Sequence, residues 1–254
     1  MVREFARTRA CRWPLPWPMH ALYSSQVVHF GYREERRIVP TIAIIGGSGP
    51  EGRGLGLRFA IAGHPVILGS RDAQRAREAA DGLLAIHAGI PVSGAMNADA
   101  ASRADWVVLS VPYEGLRSTV TDLAPSLAGK MVISVVAPIN FTDGNPRPVL
   151  VPEGSAAALT QSLLPESKVT SAFHNLSARE LLKPDEMLHG DIIVNGDDRD
   201  ARLATMRLAE DVKSLRGVDG GPLANARCVE EFTSLLLYIN RTYKKRSTVK
   251  ILGI

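Results

Sequence analysis

From residue 41 onward, short and wholly apolar runs alternate with longer amphipathic stretches. The apolar runs are Thr41–Gly46, Pro65–Gly69, Trp106–Ser110 and Met131–Val136, with a shorter one near Val92–Ala95. Between them, helical patterns cover Pro50–Ala62, Ala73–Ala88, Ala98–Arg103 and Glu114–Leu127. Pro50 suits a first helical turn, Gly63 ends its helix, and Asp72 is placed to cap the next one. Strands alternating with helices of about ten to fifteen residues predict a parallel sheet with right-handed crossovers. Because the strands are apolar at every position, helices must cover both faces.

After Val136 the rhythm changes. Pro138–Pro152 reads as a loop, Ser155–Leu164 as a helix, and Lys168–Ala172 as the strand that completes the sheet. The rest offers one clear strand (Asp191–Val194), a helix over Asp200–Lys213 and a last helix near Ala224–Tyr243. The expected fold is therefore α/β, Rossmann-like and doubly wound. A nucleotide-binding domain spans 41–172, and a small C-terminal α/β cap or dimerisation region spans 173–254.

Composition changes this picture little. The 254 residues are 45% hydrophobic and 22% charged, which is ordinary for a globular chain. The net charge of +4 comes from the first forty residues, which hold seven Arg against three acids. The remaining 23 basic and 23 acidic residues balance, so nothing favours a nucleic-acid partner. Prolines and arginines interrupt every candidate signal segment, and residues 1–40 read as a disordered extension or the product of an upstream start codon, rather than a targeting arm. No run approaches the roughly 20 apolar residues of a membrane span. The two cysteines, Cys11 and Cys228, make neither a disulfide framework nor a metal spacing. A reducing cytoplasm is the expected location.

Candidate chemistry begins at the first strand, which runs straight into Gly47-x-Gly49-x-x-Gly52. Strand, glycines and helix in that order are a dinucleotide-binding start: a tight turn, close approach to a pyrophosphate, and close helix–strand packing. The helix N-terminus offers N–H groups and the positive end of its dipole to the phosphates. At the end of the second strand, where an NAD site carries an acid, stands Gly69-Ser70-Arg71, with Arg75 one turn on. A guanidinium attracts a 2′-phosphate that a carboxylate would repel, so the pattern indicates NADP. Asp72 is discordant only if it does not cap its helix.

Several blocks together resemble one family: Gly46-Gly47-Ser48-Gly49-Pro50-Glu51-Gly52-Arg53-Gly54, Gly69-Ser70-Arg71, Ser110-Val111-Pro112-Tyr113-Glu114, Ser171-Ala172-Phe173-His174 and Gly220-Gly221-Pro222-Leu223-Ala224-Asn225-Ala226-Arg227. The family is the NADPH-dependent reductases of coenzyme F420, the 8-hydroxy-5-deazaflavin:NADPH oxidoreductases, and the resemblance covers the chain from about Thr41. It implies reversible hydride transfer between nicotinamide C4 and deazaflavin C5, with NADP(H) and coenzyme F420 as the two reactants, usually in a homodimer. By position, Gly47, Ser48, Gly49, Pro50, Glu51 and Gly52 would hold the pyrophosphate, and Ser70, Arg71 and Arg75 the 2′-phosphate. Val111, Pro112, Ala137 and Ala178 would lie near the nicotinamide. Pro112, Tyr113, Pro138, His174, Asn175 and Leu176 would border the deazaflavin.

Such a transfer needs aligned rings and no enzyme nucleophile or metal, so no catalytic residue is assigned. His174, at a strand end, is equally compatible with a hydrogen-bonded loop histidine and a ligand contact that stabilises charge on the reduced deazaflavin. Asn225, Arg227 and Glu230 read as packing on one helical face. The basic run Arg241-x-x-Lys244-Lys245-Arg246 most simply complements a helix C-terminus, with docking of the deazaflavin's acidic tail as the second reading. A non-catalytic NADP-binding sensor and another small NADP-dependent reductase also remain open. Hydroxyacid dehydrogenases would need a larger helical domain and a Lys followed by Asn one turn later, which this chain lacks.

Overall fold

The wholly apolar runs become the centre of one eight-stranded sheet. The computed structural model describes residues 39–254; the expectation for 1–40 falls almost entirely outside them. In chain order the first half contains β1 (Ile42–Ile45), α1 (Pro50–Ile61), β2 (Val66–Ser70), α2 (Ala73–Ile86), β3 (Val92–Met96), α3 (Asn97–Arg103), β4 (Trp106–Leu109), α4 (Tyr113–Leu127) and β5 (Met131–Ser134). A hairpin, β6 (Ile139–Thr142) and β7 (Asn145–Pro148), leads to α5 (Ala156–Leu163) and β8 (Lys168–Ser171). The last part holds α6 (Ala178–Leu181), β9 (Gly190–Gly196), α7 (Arg199–Asp211), β10 (Leu215–Asp219) and, after a 3-10 turn, α8 (Ala226–Tyr243).

The sheet order is β10-β9-β8-β5-β4-β1-β2-β3, and every pairing is parallel except β8 with β9. Successive residues of β1 alternate between two cores. Ile42 and Ile44 join Leu55 and Phe59 of α1, whereas Ala43 and Ile45 join Leu116 and Val120 of α4. That is the two-sided burial the unbroken apolar runs required. Asp72 caps α2 as expected, accepting hydrogen bonds from the backbone N–H groups of Gln74 (2.7 Å) and Arg75 (3.1 Å). Its carboxylate is thereby turned into the helix. Among the described residues no helix is long and apolar enough to cross a membrane.

Three features depart from the sequence expectation. Pro138–Pro152 is no simple loop, because it contains the β6–β7 hairpin, whose prolines and exposed positions hid its strands. The sheet also does not finish at residue 172: β9 and β10 extend it. Only Asn195 and Gly196 of β9 pair with β8, through Ser171 and Thr170, so the rest of β9 runs past the C-terminal end of β8. Finally, the short helix α6 went unread, being a single turn.

That turn is held from the opposite direction by α1. The guanidinium of Arg58, only 8% exposed, donates to the carbonyls of Leu181 (2.9 Å), Glu180 (2.8 Å), Lys183 (2.5 Å) and Glu186 (3.1 Å). One planar fork thus satisfies the carbonyls that a one-turn helix and its following loop leave unpaired. Gly54 completes the contact, since a Cβ there would stand 2.6 Å from Leu181 Cβ. Replacing Arg58 by Met leaves those carbonyls without their donor. The expected loss is about 3 kcal/mol of unfolding free energy in a urea titration; a loss under about 1 kcal/mol would mean that water replaces the guanidinium.

Candidate functional site

The C-terminal ends of β1, β2, β5 and β8 bring two cavities together along the glycine turn. Gly46 turns the chain with φ +80, and a Cβ there would stand 2.4 Å from the Ser110 carbonyl oxygen. At Gly47 a Cβ would come within 2.9 Å of Leu68 Cα, and at Gly52 within 2.8 Å of Gly47 Cα. The helix therefore starts almost in contact with the strand. Its N-cap, Gly49, makes no side-chain cap, so the first N–H groups of α1 stay available to an anion.

The smaller cavity, about 210 Å³, is lined by Ser48, Arg53, Arg75, Glu78 and Ala79. Arg53 Nε is buried with no hydrogen-bond partner among the described residues. A buried cationic donor without an acceptor is a fit for an anionic group, and the size suits a phosphate with part of a ribose. Ser70 Oγ lies 3.5 Å from Ser48 Oγ and accepts from the Asp72 N–H. Arg75 and Ser48 therefore line the cavity and Ser70 adjoins it. Arg71 is exposed and is not part of its lining. Arg53 was missed as a site residue; its place one turn into the glycine helix was the available signal. Glu78 stands at the same cavity, where its Oε1 accepts from Gln74 Nε2 (2.9 Å).

The larger cleft, about 500 Å³, opens beside α1. It gathers Glu51, Ala137, His174, Asn175, Leu176 and Ala178 from the sequence-derived set. Val111, Pro112 and Pro138 sit on neighbouring loops and Tyr113 opens α4; none of the four lines it. Val111 packs towards the turn, where a Cβ on Gly46 would be 3.0 Å from its Cγ1; Tyr113 is half-buried against the α4 core. Sequence reading singled out Arg241 and Arg246 only in the second reading of their basic run, and missed the rest of the wall made by the end of α8 and the tail: Thr233, Leu236, Leu237, Asn240 and Ser247. The tail is fixed by Ser247 N–H to Asn240 Oδ1 (2.5 Å), Asp191 N–H to the Val249 carbonyl (2.8 Å) and Asn175 Nδ2 to Thr248 Oγ1 (2.9 Å). Arg216 bonds both Asp191 and the Ile251 carbonyl, tying the same tail to β9 and β10.

Two ionisable groups of the cleft are shifted towards their neutral forms. His174 follows Phe173, which holds the left-handed conformation (φ 68) and stacks edge-on against Phe59 at 5.6 Å. That strained turn ends β8 and directs the chain into the cleft wall. Burial pushes His174 down to about 4, with the Val136 backbone opposing weakly, and neither ring nitrogen gains a hydrogen bond of good geometry. Burial likewise raises Glu51 to about 8; its Oε1 is enclosed and unpartnered.

Glu230 of α8 is different. Its carboxylate accepts from the N–H groups of Ala156 (2.7 Å) and Ala157 (3.0 Å), joining α8 to the start of α5. Burial raises it to about 7 against those two bonds. Packing, as expected for that helical face, is its role.

Comparison with known proteins agrees with this geometry. The family model for coenzyme F420-dependent NADP oxidoreductases matches residues 41–138. The F420-dependent NADP reductase of Methanothermobacter thermautotrophicus is 42% identical over 210 residues, covering 80% of this chain and 90% of that protein. The reductase of the same name from Methanocaldococcus jannaschii is 39% identical, covering 82% and 95%. Among solved structures, a protein from Arthrobacter sp. FB24 assigned as an F420-dependent NADP reductase superposes with a TM-score of 0.73. It is 25% identical, over 84% of this chain and all of that one.

The His174 shift predicts an acid limb in stability. Its folded value lies below the unfolded one, near 6.5, so the unfolded state binds the extra proton between about 6.5 and 4. Stability should fall by on the order of 3 kcal/mol as pH drops through that window. Denaturation midpoints for His174→Gln should lose that component; parallel curves would show that His174 accepts the proton when folded.

Proposed function

The chain belongs to the coenzyme F420-dependent NADP oxidoreductase family, and we propose that it passes a hydride reversibly between NADPH and the deazaflavin of coenzyme F420. The observation that carries this reading is the pair of cavities on either side of the glycine turn. One is small, basic and phosphate-sized; the other is wide enough for stacked rings. When bound, the dinucleotide supplies the hydride at nicotinamide C4 and the deazaflavin receives it at C5.

What this chain's residues do is bind, align and shield. The free N–H groups at the start of α1 take the pyrophosphate, with Ser48 and Gly49 of the turn against it. Arg53 and Arg75 take the 2′-phosphate, with Ser70 beside them. Arg71, being exposed, acts as a secondary attraction rather than a bidentate clamp. Ala137 and Ala178 offer small apolar walls on which a ring can lie close. Holding the two reacting carbons at about 3–3.5 Å is where the rate advantage arises. His174 stays neutral and donates one ring N–H to the carbonyl edge of the deazaflavin, where negative charge gathers on reduction. Arg179, Arg241 and Arg246 surround the open end of the cleft and face the anionic tail of that substrate.

We place the protein in the cytoplasm and read it as a homodimer. Phe232, Leu235 and Tyr238 are 39%, 48% and 51% exposed at three-residue spacing on α8, and Phe141 of the adjoining hairpin is 65% exposed. A cluster of exposed apolar side chains on one face is what a protein–protein contact uses. Leu235→Glu should therefore shift the mass measured by light scattering from dimer to monomer; a wild type that elutes as a monomer would refute the assignment.

Mixing the protein with NADPH and oxidised deazaflavin should bleach the visible deazaflavin band. NADPH binding without bleaching would favour the sensor reading. Arg75→Ala should raise KM for NADPH roughly 10–100-fold, the loss of one charge-assisted pair, and leave the much weaker use of NADH unchanged. Equal losses with both nucleotides would contradict a 2′-phosphate site there.

A further inference from the structure

Among the described residues, Glu51 is the one carboxyl group lining the larger cleft. It stands in the first turn of α1, immediately after Pro50, and its Oε1 is enclosed with no hydrogen-bond partner among the described residues. The ionisable groups that share the cleft are His174, Arg179 of α6, Arg241 of α8 and Arg246 of the tail. Arg53 lies two residues on in its own helix. None of these cations forms an ion pair with Glu51 among the described residues, and Arg241 is already bonded to the Gly144 carbonyl. A carboxylate enclosed in this way has no ion pair to offset its desolvation and only the helix dipole in its favour, whereas a carboxylic acid there is an O–H donor awaiting an acceptor. The neighbouring walls, Ala137, Leu176 and Ala178, present no side-chain acceptor.

We propose that Glu51 works as a protonated carboxyl that donates a hydrogen bond to the amide carbonyl of the bound nicotinamide, so that dinucleotide binding fixes one proton on the enzyme. The proposal rests on reading this cleft as the nicotinamide site. Two charges act in opposite directions on that proton. The dipole at the start of α1 favours the carboxylate in the empty site. Phosphates arriving at the same helix end neutralise that field and add negative charge close by, which favours the acid. Binding therefore raises the proton affinity of Glu51 above its value in the free protein, about 8.

The consequence is a dinucleotide affinity that is level below pH 8 and weakens above it, by up to about tenfold per pH unit. Glu51→Gln keeps a donor of the same shape and removes the titration. Calorimetry of NADP⁺ binding at pH 8.5 in two buffers of different ionisation enthalpy should show uptake of about half a proton or more by the wild type, and less by the variant. Dissociation constants of the variant should stay level from pH 7 to 9.

A folding readout needs no ligand. The free carboxyl's raised value means that wild-type stability declines as pH rises from about 4.5 to 8, with the native state holding the extra proton. Glu51→Leu and Glu51→Gln should both melt higher than wild type at pH 8.5 and lose that advantage at pH 5. Equal proton uptake in wild type and Glu51→Gln, or none in either, overturns the inference and leaves the site assignment standing. Absence of NADP⁺ binding by the wild type at every pH overturns the site assignment itself.

Discussion

Everything at the ligand edge depends on backbone meeting backbone where α1 leaves β1. Gly46, Gly47 and Gly52 each sit where a single added carbon would lie within 3 Å of main-chain atoms. Side-chain repacking cannot relieve such a clash, because the opposing atoms are backbone of β1, β2, the residue after β4 and the turn itself. The approach aims the start of α1 at the anion, and it also sets how far the rest of α1 stands from the chain beyond β8. Gly54 and Arg58 use that distance one and two turns later, to seat α6 and the loop after it.

The site that results is built largely from neutral or shared polar groups. His174 and Glu51 are both held uncharged by burial, and the permanent charges, the arginines, are kept to the small cavity and the open rim. This distribution suits a reaction whose reactants carry phosphates and other anionic groups well away from the rings that exchange the hydride. Fixed charge beside the rings would favour one redox state; fixed charge at the ends only binds. A reversible transfer gains from keeping the two apart.

Much of this was legible in the chain. Unbroken apolar runs gave the two-sided sheet, and Asp72 behaved as a cap because its carboxylate had nearby N–H groups to accept. Elements whose signals depend on distant partners escaped. Leu215–Asp219 reads poorly as a strand, with Arg216, Gly217 and Asp219 among its five residues. It is a strand because β9 pairs with it, and because Gly217 lets Met206 approach to a distance that no Cβ would permit. The hairpin strand Asn145–Pro148 carries two prolines that its exposed edge tolerates. At the site, residues just after strands were findable by rule. Asn240 and Ser247 were not, since nothing local says that the end of α8 and its tail return to the ends of β5 and β8; Arg241 and Arg246 stood out only as a basic run. Arg71 stands where the rule puts it, just after β2, with its side chain exposed.

The uneven anchoring of the cleft has a consequence for where the backbone opens. Its floor, Val135 and Ala137, continues directly from β5; β5 and β1 both lie inside the sheet and are paired on both sides. Their amides should exchange with solvent only when the whole molecule opens. The outer wall, residues 244–251, hangs on a handful of bonds to Asn240, Asp191, Asn175 and Arg216. Amide exchange in that segment should therefore run ahead of exchange in the strands that flank the phosphate-binding turn.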